Sequence, residues 1–220
     1  HFEIQDLASQ FVSNYCQPVP GENWWDVCAG EGGKTVHLAD LLQQKGCVWA
    51  TDRAAWRLQR LKQRASRAKV FNYQSALWNG LTKVPFRKPF DGALVDAPCS
   101  GMGTWQRNPH ARWTTDFEDV KELAEVQFKL LETASSRLKP GGKLVYSVCT
   151  MTKQETTRVV RRFEKAHPEM EPWPWDGKHP VVPEVCEEEI GKPVHGYTVQ
   201  PHVWKSNGMF VARWHLKKKE

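Results

Sequence analysis

Between residues 24 and 149, short apolar runs alternate with amphipathic stretches, the pattern of βαβ units wound into a mainly parallel sheet. Strands are expected at 24–29 (WWDVCA), 47–51 (CVWAT), 69–73 (KVFNY), 91–96 (DGALVD) and 143–149 (KLVYSVC), each followed by turn or helix signals. Between them, 35–44 carries Val36, Leu38, Leu41 and Leu42, and 54–68 carries Trp56, Leu58 and Leu61. The stretch 116–138 carries Val120, Leu123, Val126, Leu130 and Leu131 at helical spacing and stops at Lys139-Pro140-Gly141-Gly142. A further helix is expected near 152–165. Residues 167–193 hold Pro168, Pro172, Pro174, Pro180, Pro183 and Pro193, which predicts an irregular surface excursion. Runs near 197–199 and 209–215 read as late strands, the last pairing antiparallel at an edge. The expectation is one α/β domain over 1–220.

Composition narrows the class. The chain has 220 residues, 40% hydrophobic and 25% charged, enough for one good core and too few for two. Its net charge of +6, from 31 Lys and Arg against 25 Asp and Glu, leans toward a polyanionic partner. No apolar run approaches the roughly 18 residues of a membrane span, and the start has neither a basic nor an apolar leader region. Membrane and secreted proteins are therefore excluded as first readings. Six cysteines, Cys16, Cys28, Cys47, Cys99, Cys149 and Cys186, include no C-x-x-C pair, so neither a metal site nor a disulfide framework is expected. A reducing, cytoplasmic setting and a monomer fit best. The first residue is His1, and the chain is expected to be a piece of a longer one.

The first chemical signal is a turn. The strand at 24–29 runs into Gly30-Glu31-Gly32-Gly33-Lys34-Thr35 and then a helix, putting glycines at the carboxyl edge of the sheet, where ligands sit in such folds. Glycines let backbone N–H groups approach a ligand beside a helix N-terminus, which suits a carboxylate or phosphate. A Walker loop needs glycine where Cys28 stands, and a dinucleotide fingerprint needs it where Thr35 stands. That leaves S-adenosylmethionine, whose amino-acid end can lie along the turn while an acid at the next strand end takes the ribose hydroxyls. Asp52, about 20 residues on, is that acid; its competing role is to cap the helix that follows. The candidate cofactor residues are Cys28, Ala29, Gly30, Glu31, Gly32, Gly33 and Lys34 in the turn, with Asp52, Arg57 and Asp96 beyond it.

The second signal is a pair of strand ends. Asp96-Ala97-Pro98-Cys99-Ser100-Gly101 leaves one strand, and Cys149-Thr150 leaves the next long one, bringing an acid and two thiols to the cofactor edge. Free cysteines are usually small buried hydrophobes, the reading taken for Cys16, Cys47 and Cys186, but a thiol in a polar strand-end turn is placed to react. A thiolate beside a methyl donor suits a pyrimidine. Carbon 5 is a poor nucleophile until a thiolate adds to carbon 6 and makes the ring an enamine. An acid that hydrogen-bonds ring nitrogen 3 and the exocyclic amine favours addition and selects cytosine; Asp96 is the candidate, against a purely structural strand-end role. Such chemistry requires a single-stranded or flipped base.

These pieces occur together with IQDLAS at 4–9, DVCAGEGGKT at 26–35, ATD at 50–52, DAPCSGMGTWQRNPHARW at 96–113, LKPGGKLVYSVCT at 138–150 and PHVWKSNGMFVARW at 201–214. In that order the chain resembles the Sun/Nop family of RNA cytosine-5 methyltransferases, which includes the RsmB-like enzymes. The resemblance implies a Rossmann-like class I methyltransferase sheet, mostly parallel and seven-stranded, with an antiparallel C-terminal edge strand and helices on both faces. It further implies that Cys149 is the nucleophile, that Cys99 assists release of the product, and that Lys34 reaches the catalytic centre or cofactor. Three motifs depart from the family. Ala29-Gly30-Glu31 replaces Ala-Ala-Pro, Tyr73-Gln74-Ser75 offers no acid, and Glu155-Thr156-Thr157 keeps only the first acid of Glu-Asn-Glu.

The implied partner is RNA, ribosomal RNA first and transfer RNA second. Arg107 and Arg112, within the aromatic and basic run 105–113, are the candidate RNA contacts, while Trp105 and Trp113 in the same run can instead anchor a loop in the core. Arg57, Arg60, Arg64 and Arg67 fall on one helical face, either solvated or RNA-facing. The alternative function is a catalytically weak RNA-binding or ribosome-assembly module that retains the fold. A cysteine hydrolase using His110 explains neither the glycine turn nor Asp52.

Overall fold

The computed structural model describes residues 3–173, 188–189, 192–193 and 195–218. Among them the elements run α1 (Leu7–Tyr15), β1 (Asn23–Asp26), α2 (Gly33–Leu41), β2 (Cys47–Asp52), α3 (Ala55–Ala68), β3 (Tyr73–Leu77) and β4 (Phe90–Asp96). There follow α4 (Pro109–Thr114), α5 (Phe117–Ser135), β5 (Leu138–Val148), α6 (Thr157–Ala166), β6 (Met170–Pro172) and a short hairpin of β7 (Glu188–Glu189) and β8 (Lys192–Pro193). The chain closes with β9 (Tyr197–Val199), α7 (Pro201–Trp204) and β10 (Met209–Leu216).

The main sheet has the order β3-β2-β1-β4-β5-β10-β6, with β9 also paired to β10. The first five strands are parallel, and β10 runs antiparallel to β5 from Phe210 opposite Val148 to His215 opposite Lys143. Strand β10 is thus antiparallel as expected but is not the edge, because β6 and β9 pair with its outer side and make the sheet eight-stranded where seven strands were expected. Successive strand residues face opposite sides. Trp24, Leu94 and Val145 join a core with α1 and α2, while Trp25, Ala93, Leu144 and Tyr146 join another with α5 and α6. The chain winds outward from β1 through β2 to β3, then returns to place β4 on its other side. That reversal opens a crevice at the carboxyl ends of β1 and β4.

Three elements depart from the sequence pattern. The third strand begins at Tyr73 and not at Lys69, because Lys69 adopts φ +56 to end α3 and the Val70 N–H bonds the Ala65 carbonyl. Helix α5 ends at Ser135, and β5 takes up Leu138 directly, absorbing the Gly141-Gly142 turn as an irregularity between Phe90 and Gly92 of β4. Helix α1 lay outside the expected pattern. Its buried Ala8, Phe11, Val12 and Tyr15 follow helical spacing, and the Asp6 carboxylate accepts from the Ala8 N–H at its start. Within the proline-rich stretch, Met170–Pro172 is a regular strand; residues 174–187, including Cys186, lie outside the described residues. No described helix is long and apolar enough to cross a membrane, and no cluster of metal-binding side chains occurs among the described residues.

Candidate active site

The crevice is built from two halves. On the β1 side, Gly30 and Gly32 adopt φ +54 and φ +85, turning the chain so that α2 starts with no side-chain cap on its first amides. A Cβ at Gly32 would stand 2.5 Å from Leu61 Cγ and 3.1 Å from its Cα, so α3 closes directly on the turn. The Asp52 carboxylate, at the end of β2, accepts from the Gly30 N–H at 3.0 Å and from the Ala54 N–H at 2.8 Å. It thus braces the turn and begins α3, while each oxygen retains a lone pair. Arg57 lies 3.8 Å from Asp52, and Glu31 pairs with Arg60 at 2.8 Å. The Gly-Glu departure therefore leaves the turn intact and adds an ion pair to α3. These open amides and the acid across from them fit a ligand with a carboxylate at one end and a diol at the other.

Beneath the turn, Asp26 is fully buried, accepting from the Thr35 hydroxyl at 2.6 Å while its Oδ1 has no partner. Burial raises its pKa to about 7, the Thr35 bond opposes this, and the Asp96 charge adds to it. Cys28 is held well above the ordinary thiol range by burial and the charge of Asp26, so it is no nucleophile.

On the β4 and β5 side, Cys99 Sγ and Cys149 Sγ lie 3.3 Å apart, the two thiols that the strand ends were expected to bring together. Asp96 sits beside them, its Oδ2 2.6 Å from Lys34 Nζ and its Oδ1 accepting from the Ser147 hydroxyl at 2.6 Å. Burial would lower the Lys34 pKa, but the charge and hydrogen bond of Asp96 outweigh it and raise it, keeping the ammonium charged. Lys34 therefore spans the halves: it leaves the glycine turn and ends at the thiol centre. The thiols are unequal. The bond from Cys99 lowers the Cys149 pKa, with Lys34 helping, against burial and Asp96. The same bond, with burial, holds Cys99 well above its ordinary range. Cys149 is the better thiolate of the pair.

A cleft of ≈ 570 Å³ opens from both thiols and is lined by Thr104, Asn108, Ala111 and Val126 among others. A Cβ on Gly103 would meet the Gly208 carbonyl oxygen at 2.1 Å, so the segment before β10 packs directly on the cysteine loop. Arg112 stacks over Trp113, which is 80% exposed and not a core anchor, whereas Trp105 is half-buried. Arg107 points outward, 3.8 Å from Asp6. The basic face of α3 is tied down: Arg64 and Arg67 face Glu3, as Arg57 and Arg60 face Asp52 and Glu31. Of the other cysteines, Cys16 is in the core and Cys47 is half-buried.

The sequence reading missed the polar groups behind the thiols. Glu155 is fully buried, and both its oxygens are engaged by Ser100, Gln127 and Thr152. The available signal was symmetry: a hydroxyl residue, Ser100 or Thr150, follows each cysteine.

A mostly parallel sheet with a glycine turn facing a two-thiol centre, closed by an antiparallel strand, defines a Rossmann-like cofactor-binding domain. A family model described as 16S rRNA methyltransferase RsmB/F matches residues 14–215, and the chain belongs to that family. It is 35% identical over 98% of its length to the probable ribosomal RNA small subunit methyltransferase B of a Synechocystis strain, covering 47% of that protein. It is 41% identical over 71% of its length to the mouse tRNA (cytosine(72)-C(5))-methyltransferase NSUN6, covering 35% of it. The solved structure of NSun6 from Pyrococcus horikoshii with SFG, an S-adenosylmethionine analogue, matches 98% of this chain and 53% of that one, with TM-score 0.83 and 25% identity. The chain spans about half the length of the first of these relatives.

Proposed function

We propose that the chain transfers a methyl group from S-adenosylmethionine to carbon 5 of a cytosine in RNA, ribosomal RNA first, through a covalent intermediate on Cys149. One observation carries the reading: the 3.3 Å thiol pair beside the Lys34–Asp96 ion pair, at the edge where the glycine turn opens. Relatives named for RNA methylation and a neighbour solved with an S-adenosylmethionine analogue support the reaction class.

The uncapped amides at the start of α2, from Gly33 on, would receive the amino-acid end of the cofactor, with the Gly30 and Gly32 N–H groups holding the turn through Asp52 and Ala29, and Asp52 would take its ribose; when bound, the cofactor supplies an electrophilic methyl group. Cys149 Sγ adds to carbon 6 of the base as a thiolate, the thiolate charge passing into the ring as an enamine. Asp96, held by Lys34 and Ser147, would accept from the exocyclic amine and relay a proton from the Lys34 ammonium to ring nitrogen 3, neutralising the negative charge that thiolate addition delivers to the ring. Carbon 5 then takes the methyl group; its proton passes to solvent water, its electron pair restores the 5,6 double bond as the carbon 6–sulfur bond breaks, nitrogen 3 returns its proton toward Asp96, and Cys149 departs as a thiolate. Cys99, the higher of the two thiols and already bonded to Cys149, carries the proton that assists this departure. Arg107, Arg112 and the exposed Trp113 form the rim that meets RNA, by phosphate contact and base stacking. A cytoplasmic, reducing setting keeps both thiols free.

The test uses Cys99→Ala protein with S-adenosylmethionine and unmodified small-subunit ribosomal RNA on a denaturing gel, beside the Cys99→Ala/Cys149→Ala variant. The expected result is a protein–RNA adduct that requires Cys149. No adduct despite measured cofactor binding would overturn the reading in favour of an RNA-binding module.

A further inference from the structure

Behind the two thiols lies a polar assembly that the reaction as written does not use. Each oxygen of Glu155 meets two groups: Oε1 accepts from the Ser100 N–H at 2.8 Å and Gln127 Nε2 at 3.1 Å, Oε2 from the Ser100 hydroxyl at 2.6 Å and the Thr152 hydroxyl at 2.7 Å. Because the Ser100 hydroxyl gives its proton to Glu155, it accepts from the Thr150 hydroxyl, 2.9 Å away. Gln127 also holds the Pro98 carbonyl at 2.9 Å, and the Tyr146 hydroxyl donates to the Glu155 carbonyl at 2.6 Å. Ser100 follows Cys99, and Thr150 follows Cys149. The assembly therefore grips the chain one residue past each thiol, and on one side one residue before.

We propose that Glu155 is a positioning residue for the two-thiol centre: through Ser100 and Thr150 it holds the Cys99 loop against the end of β5 so that one thiol donates to the other. A buried carboxylate surrounded only by neutral donors is a poor way to gain stability, since its desolvation cost is large and an apolar filling is often as stable. It does fix direction. Four donors converge on two oxygens, and a glutamine there would offer one acceptor oxygen and turn an NH2 group against donors that already point inward. The loop needs such a hold, because beyond Ser100 it turns through Gly101 at φ +71, and among the described residues one backbone bond, from the Gly103 N–H to the Cys149 carbonyl, ties it to the end of β5. The lowered Cys149 pKa is the consequence: it depends on the bond from Cys99, and that bond depends on the loop. The catalytic meaning of this clamp rests on the reaction proposed above, but the geometry it maintains is measurable without RNA.

The experiment follows the pH dependence of Cys149 alkylation by iodoacetamide, resolved at the peptide level by mass spectrometry, in Thr150→Val, Ser100→Ala, Glu155→Gln and Cys99→Ala proteins. The charged and titratable groups bearing on the thiol pair are Asp96 from the β4 end, Glu155 behind Cys99 and Lys34 from α2; Thr150→Val and Ser100→Ala leave all of them in place, while Glu155→Gln also removes a charge that raises Cys99. Thr150→Val keeps the side-chain volume, and Ser100→Ala is an independent cut of the same link should either variant misfold. Each clamp variant is expected to move the alkylation midpoint upward by about one pH unit, matching Cys99→Ala, while Thr150→Ser retains the wild-type midpoint. Turnover on RNA is expected to fall in parallel with KM for RNA unchanged. A wild-type midpoint in the folded clamp variants, or no shift in Cys99→Ala, would overturn the proposal. A shifted midpoint in a chain that forms no RNA adduct would uphold the clamp and remove the cytosine reaction.

Discussion

The two halves of the crevice solve the same problem with different materials. The half at β1 is made of backbone: positive-φ glycines, open amides and one aspartate that ties them to β2. The half at β4 and β5 is made of side chains, with two thiols, an ion pair and a buried carboxylate behind them. A backbone site is defined by shape and tolerates changes that keep the turn, as the Gly30-Glu31 sequence shows by adding only the bond to Arg60. A side-chain site is defined by proton positions and fails when a single donor is lost. Lys34 belongs to both halves, rooted in one and charged against the acid of the other.

The widest separation between the halves is expected from removing the thiol proposed as nucleophile. Cys149→Ala should lower methyl incorporation into RNA by about a thousandfold or more while cofactor affinity stays near wild type, measured by labelled-methyl transfer and titration calorimetry. Activity retained in that variant would return the nucleophile role to Cys99. Next in size is Asp96→Asn, which keeps the hydrogen bond from Ser147 but leaves Lys34 without its counter-charge. Turnover is expected to fall about a hundredfold with cofactor affinity changed only a few-fold. An equal loss of both would move Asp96 wholly into the cofactor half.

On the other side, Gly32→Ala breaks shape alone. A side chain at φ +85 that also meets Leu61 should cost about 2 kcal/mol or more, a fall in melting temperature of about 4–8 °C for a chain this size. Cofactor affinity should drop with it, while the Cys149 alkylation profile holds its midpoint. An unchanged melting temperature would mean that α3 can withdraw from the turn.

The same contrast explains what was legible in the sequence. The parallel strands, their alternation with helices and the glycine turn all follow from local pattern, since period and turn chemistry act over a few residues. Both thiols, Asp96 and Asp52 were recoverable because strand ends in such a sheet share one edge. Position 69 misled because an apolar, β-branched run can serve a helix end as well as a strand, and here Lys69 takes the left-handed conformation that caps α3. The helix at Leu7–Tyr15 is short and weakly marked, and it is fixed by tertiary contacts with α2. Glu155 stayed opaque for a deeper reason. Its motif marked it only as a retained acid; Thr152 is a local partner, but Ser100 and Gln127 lie 55 and 28 residues away, and no local pattern carries bonds of that span. Arg112 and Trp113 had no assignable surface until the fold showed which side of α4 is bare.

The effect that is smallest over any one pH unit concerns Asp26, where the backbone half conceals a titrating group. Its folded-state pKa of about 7 stands well above the usual carboxylate value, the cause being burial first, against the Thr35 bond, with Asp96 adding to the rise. Between the unfolded value near 4 and about pH 7 the folded chain binds the proton more tightly, so stability falls as pH rises through that window and levels off above it. The slope is at most about 1.4 kcal/mol per pH unit, or about 3–5 °C in melting temperature. Asn at this position cannot ionise. Asp26→Asn should therefore gain on the wild type steadily from about pH 5 to about pH 8, keeping an amide oxygen for the Thr35 hydroxyl. Thr35→Val should act oppositely, raising the Asp26 pKa further and extending the window of falling stability to higher pH. Parallel melting curves for Asp26→Asn and wild type across that range would show that the carboxylate stays in one protonation state, and the backbone half would then be as insensitive to pH as its construction from amides implies.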